Sequence, residues 1–167
     1  MKKIMCFLLA LCLLPLTGCT QEAPKLEVPA NFYYCTQEVT FHNKQGVFQY
    51  EQRETKEVAS DYVELMNLYL AGPVGEHLVS PFPKGIAVKS ITINDGDVTI
   101  SINSALATLS DIRLTKACAC IALTLLDLTN ARTVTIHAPV PRFGESQTLT
   151  LSRQNLVLLD SGVPNSK

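Results

Sequence analysis

The sequence predicts an α+β fold, a single two-layer domain with two helices packed on one face of a mostly antiparallel sheet. Three observations carry this expectation. Apolar residues recur at three-to-four spacing in two windows, 56–71 and 111–129, which is the repeat of a buried helix face. Val98, Ile100 and Ile102 alternate with Thr99 and Ser101, behind an Asp95-Gly96 pair that marks a tight hairpin. The order helix, two strands, helix, strand lacks the regular alternation of a doubly wound sheet, so both helices are expected on one sheet face.

The chain opens with a secretory signal of the lipoprotein type. Lys2 and Lys3 precede an apolar stretch from Ile4 to Leu16, which runs into Thr17, Gly18 and Cys19. The stretch falls short of the ~20 residues that a spanning helix needs, and Pro15 would disrupt its end. Leu16, Thr17, Gly18 and Cys19 resemble a bacterial lipobox. That resemblance implies a diacylglyceryl group on the Cys19 thiol and cleavage before Cys19, making residues 1–18 a signal peptide. The thiol is the nucleophile that takes the lipid, and Thr17 and Gly18 are small enough for a narrow peptidase cleft. At about 0.8 kcal/mol per buried methylene, two or more acyl chains anchor a protein stably. The expected location is therefore the extracytoplasmic face of the cell membrane. Residues 19–30 hold Pro24 and Pro29 without apolar periodicity and read as a tether, followed by a domain over 31–160 and a tail over 161–167.

Within the domain, Phe32-Tyr33-Tyr34-Cys35 is rich in strand formers. Val39 and Phe41 alternate, Asn43-Lys44-Gln45-Gly46 forms a turn, and Phe48 and Tyr50 alternate with Gln49 and Glu51, so two or three strands with a hairpin are expected. The first helix is expected over Lys56–Ala71, its apolar stripe running from Val58 through Tyr62, Leu65, Met66 and Tyr69 to Leu70. Gly72 and Pro73 stop it, one tolerating a left-handed backbone and the other unable to continue the ladder. A loop from Val74 to Gly85 is stiffened by Pro81 and Pro83, with Phe82 between them tucked over the core edge rather than displayed. Strands follow at Ile86–Ile93 and Val98–Asn103. The first of these alternates poorly, which predicts a bulge. The second helix spans Asp111–Thr129 with Ser110 at its N-cap. Its stripe is Leu114, Ala117, Cys118, Ile121, Leu125 and Leu128. A strand at Thr133–His137 turns Val134 and Ile136 inward, and Leu149, Leu151 and Leu156–Leu159 suggest two short final strands.

Composition excludes several classes. Hydrophobic residues make up 47% and charged residues 17% of the chain, against wholesale disorder. The formal net charge is −1, and losing Lys2 and Lys3 makes it more negative, so a nucleic-acid partner is not expected. Of six cysteines, Cys6 and Cys12 leave with the signal and Cys19 takes the lipid. Cys118 and Cys120 point about 200° apart around a helix, so they neither chelate one metal together nor bridge each other. They read as small buried residues, and a disulfide from Cys35 to Cys118 or Cys120 stays open. No zinc-protease, phosphate-loop, dinucleotide or nucleophile-elbow motif is present. His42, His77 and His137 are not at ligand spacing and read as surface residues. Asp95 and Asp97 read as turn formers, since Leu106 stands where a calcium loop needs its closing carboxylate. Glu51, Glu54, Glu57, Asp61 and Glu64 read as a solvated acidic face. No cofactor and no metal are expected.

Leu70-Ala71-Gly72-Pro73, the run Leu78-Val79-Ser80-Pro81-Phe82-Pro83-Lys84-Gly85, and the Asp95-Gly96 hairpin together resemble the GerMN domain, the sporulation and spore-germination domain of endospore formers. The resemblance covers residues 31–137. It implies a likeness to the ring-building modules of secretion and sporulation assemblies, and a structural or assembly role rather than catalysis. The implied partners are the membrane, through the lipid, and envelope or sporulation proteins, including further copies of this chain. The rival expectation is a ligand-binding lipoprotein that captures a small molecule or cell-wall fragment. That function needs a concave pocket with convergent polar groups.

Overall fold

The computed structural model describes residues 29–37, 46–54, 61–139 and 146–156. Leu16, Thr17, Gly18 and Cys19, most of the tether, Val39, Phe41, His42, the turn residues 43–45, the helix start at 56–60, Val157–Leu159 and the tail lie outside the described residues. Among the described residues no helix is long and apolar enough to cross a membrane.

The fold is the expected α+β two-layer domain, and its strands divide between two hydrogen-bonded sheets. In the first, β1 (Ala30–Thr36) pairs antiparallel with β2 (Phe48–Arg53) and with the two-residue β3 (Leu78–Val79), in the order β2-β1-β3. The second runs β4 (Val88–Asn94), β5 (Asp97–Ile102), β6 (Thr133–Pro139), β7 (Ser146–Ser152). Its pairs are antiparallel except β5–β6, which is parallel because the second helix carries the chain back between them. Buried residues of both sheets and both long helices make one contiguous cluster. Ala30, assigned to the tether from sequence, is the buried first residue of β1.

The first helix, α1 (Tyr62–Leu70), starts later than its periodicity suggests. Asp61 is extended, and its carboxylate accepts the Glu64 N–H at 2.8 Å, which makes it the N-cap rather than an interior acid. The second helix, α2 (Asp111–Thr129), has the expected span. Ser110 occupies its N-cap but makes no side-chain capping bond, because Asp111 follows in the left-handed region at φ 49°. Every residue from Ala117 to Leu126 is buried, so α2 has no polar face over that stretch. It packs against β1 and also against β6 and β7. A single apolar stripe could not reveal a helix covered from two directions.

The β4–β5 hairpin is a two-residue turn with Asp95 at φ 49° and Gly96 at φ 82°, the pair of left-handed residues that matches strand twist. The predicted bulge is present as a register shift between Val88 and Ser90. Phe82 is tucked as expected, its ring 5.1 Å from that of Tyr69 and 6.2 Å from that of Tyr34. The end of the chain departs from expectation. Leu149 and Leu151 lie in one strand, β7, whereas Leu156 is buried in a short helical turn, α3 (Arg153–Leu156).

Candidate functional site

The first site element is the turn after α1. Gly72, at φ +122°, carries the chain out of the helix in a conformation that side chains rarely adopt. Its carbonyl accepts from Arg53 Nη2 at 2.7 Å and from the Tyr34 hydroxyl at 3.0 Å. Arg53 also pairs with Glu51 and lies over the rings of Phe32 (5.2 Å) and Tyr34 (5.9 Å). Glu51 in turn accepts the backbone N–H groups of Val74 (3.1 Å) and Gly75 (3.0 Å). Two β2 side chains therefore clamp the segment that opens with Gly72 and Pro73. This corrects the reading of Glu51 as part of a solvated face. Burial alone would raise its pKa, but the Gly75 N–H, Arg53 and the Val74 N–H outweigh burial and hold it below the usual carboxylate range.

The pH consequence has a defined sign. A depressed folded pKa means that the stabilisation is full above the unfolded value of roughly 4.3 and is lost as pH falls through the folded value. Glu51→Gln removes this dependence. The stability gap between native and variant, measured by urea unfolding, is expected to shrink from about pH 6 to about pH 3. A gap of constant size across that range contradicts the clamp.

Beyond β3, the segment Ser80-Pro81-Phe82-Pro83 forms one wall of a cleft of about 590 Å³. Ser80 Oγ accepts the Phe82 N–H at 3.3 Å, which closes a local turn between the two prolines. Gly85, at φ +75°, ends the wall, and its carbonyl accepts from Asn103 Nδ2 at 2.7 Å. Arg113 and Lys116 of α2 form the facing wall, beside Thr108 and Leu109. Cys35, Thr36 and Gln37, from β1 and the residue after it, complete the lining. Among the described residues neither a histidine nor a carboxylate lines this cleft, whose charged side chains are Arg113 and Lys116.

The structure brings Ser80, Pro81, Phe82 and Pro83 together at the cleft, whereas Gly72, Pro73 and Gly85 do not line it. Asp95 and Gly96 lie elsewhere. Their hairpin meets the end of α2, where the Arg132 N–H donates to the Gly96 carbonyl at 2.7 Å and Asp97 accepts from the Thr133 hydroxyl at 2.9 Å. His77 is exposed, and His137 Nδ1 sits 3.0 Å from the Thr148 hydroxyl. Cys35, Cys118 and Cys120 are free buried thiols. Burial pushes the Cys120 thiol up and Cys118 up to about 11. Their divergence on α2 is as expected, with Cys120 toward β1 and Cys118 toward a smaller apolar hollow beside Ile136 and Leu149.

Arg113 and Lys116 are the site residues that sequence reasoning missed. Their signal was present: they are the two cations of α2, three residues apart, near the end where the helix dipole disfavours positive charge.

The mostly antiparallel α+β fold is shared with a known sporulation module. The chain belongs to the Germane family, described as sporulation and spore germination, whose family model matches residues 31–138. Among solved structures it is similar to the tandem GerMN domains of the sporulation protein GerM from Bacillus subtilis. That match has 19% identity and a TM-score of 0.52, covering 75% of this chain and 45% of that one. It is also similar to the first GerMN domain of the same protein, at 15% identity and a TM-score of 0.53, covering 77% of this chain and 99% of that domain. At these identities the likeness establishes the fold. The chain spans less than half the length of the tandem structure. No curated protein sequence matches it.

Proposed function

We propose that this chain is a lipid-anchored protein of the extracytoplasmic membrane face that serves a non-catalytic assembly or interaction role in sporulation or spore germination. The observation that carries the reading is the family match over residues 31–138, placed behind a leader that ends in Leu16-Thr17-Gly18-Cys19. The lipid supplies location and the tether supplies reach. The sheet edges supply contact surface, since an uncovered strand edge can accept a strand from another copy or another protein.

Cys19→Ala is expected to abolish lipid attachment and to release the protein from the membrane fraction, as read by fractionation and mass spectrometry of the amino terminus. Crosslinking of the native chain in sporulating cells is expected to capture a further copy or an envelope protein. Unchanged membrane association in the variant, or an unmodified Cys19 thiol in the native protein, overturns the anchor. A second reading, capture of a small molecule or cell-wall fragment, is favoured by the cleft between the Ser80–Pro83 wall and α2, whose volume falls within the ~300–1,000 Å³ of small-molecule sites.

A further inference from the structure

We propose that this cleft binds a small organic anion, a carboxylate or phosphate carried on an apolar body. Arg113 and Lys116 both line it and share one side of α2. They stand near the amino-terminal end of that helix, where the helix dipole disfavours a cation. Two cations thus stand beside a cavity of about 590 Å³, and among the described residues neither is in an ion pair. An entering anion gains both charges. The opposite wall suits the rest of such a ligand. Val79 is 44% exposed, and Phe82 and Leu109 add apolar surface beside the hydroxyls of Thr36, Ser80 and Thr108. Among the described residues, neither the clamp at Gly72 nor the ring contacts of Phe82 involve Arg113 or Lys116.

The inference deepens the ligand-capture reading and is independent of the envelope role, which survives its failure. It is tested on the full chain in a non-ionic detergent by heteronuclear NMR titration. Three probes are used: N-acetylphenylalanine, phenyl phosphate and the neutral N-acetylphenylalanine amide. At least one anion is expected to move the amide signals of Thr36, Gln37, Val79, Phe82 and Arg113 saturably, with the amide at least about tenfold weaker. A response to the first probe alone assigns a carboxylate, and a response to the second alone assigns a phosphate. Arg113→Gln with Lys116→Gln is expected to lower anion affinity at least about tenfold while signals of β5 and β6 stay in place. If the double variant does not fold, each single variant is expected to lose part of that affinity. No movement with either anion, equal binding of the amide, or unchanged affinity in the folded variants overturns the proposal.

Discussion

Tyr69→Ala is expected to lower the unfolding free energy by about 4 kcal/mol, in the range for large-to-small changes at buried aromatic positions. Tyr69 is fully buried at the point where four parts of the chain meet. Its ring lies 5.4 Å from Phe32, 5.0 Å from Tyr34 and 5.1 Å from Phe82, so it joins α1 to β1 and to the proline wall. Its hydroxyl donates to the Tyr33 carbonyl at 2.6 Å. Thr124 Oγ1 meanwhile accepts the Tyr33 N–H at 3.0 Å. Two side chains thus satisfy Tyr33 on the edge of β1 away from β2, where β3 reaches only Cys35 and Thr36. Tyr69→Phe separates the two contributions. It keeps the ring packing and leaves the Tyr33 carbonyl without its donor, for an expected loss of about 1–3 kcal/mol. Chemical denaturation of both variants checks this. A loss below about 1 kcal/mol for Tyr69→Ala would show that the ring cluster is not the junction described.

Arg53→Ala is expected to cost about 2–3 kcal/mol. Removing one partner of a buried ion pair costs about 3–5 kcal/mol. The side chain here retains 24% exposure, which screens part of that. The variant leaves Glu51 without its cation, the Gly72 carbonyl without one of its two donors, and the faces of Phe32 and Tyr34 uncovered. Faster hydrogen exchange at Val74 and Gly75 is also expected, because their N–H groups are held by the Glu51 carboxylate that Arg53 positions. The two losses should not add: with Glu51→Gln in place, Arg53→Ala should cost less, by a coupling of about 0.5–3 kcal/mol. Additive losses would mean that the clamp is two unrelated contacts.

The parts of the fold legible in sequence are those written by local rules. Gly72 and Pro73 end a helix wherever they follow one, Asp95-Gly96 makes a hairpin without help from the rest of the chain, and β5 shows its buried face in Val98, Ile100 and Ile102. What escaped depends on partners distant in sequence. The two residues of β3 form a strand only because Cys35 and Thr36 are beside them. Glu51 looked like one more surface acid until β2 placed it against the N–H groups of Val74 and Gly75. Leu156 reads as a strand residue beside its neighbours, yet it is buried in a helical turn that packs near α2.

The candidate site divides the same way. Ser80, Pro81, Phe82 and Pro83 announced themselves through backbone stiffness, a property of residues taken one at a time. Arg113 and Lys116 acquired their meaning from the wall opposite them. By itself the amino-acid sequence determined the fold class, the family, and the helix and hairpin boundaries near Gly72 and Gly96, because periodicity and turn residues are local signals. Only the tertiary structure decided that the strands form two sheets, that α2 is buried on all sides over Ala117–Leu126, and that a cleft opens beside two cations. Long-range strand pairing and charge environment are properties of residues far apart in the chain, and no local pattern carries them.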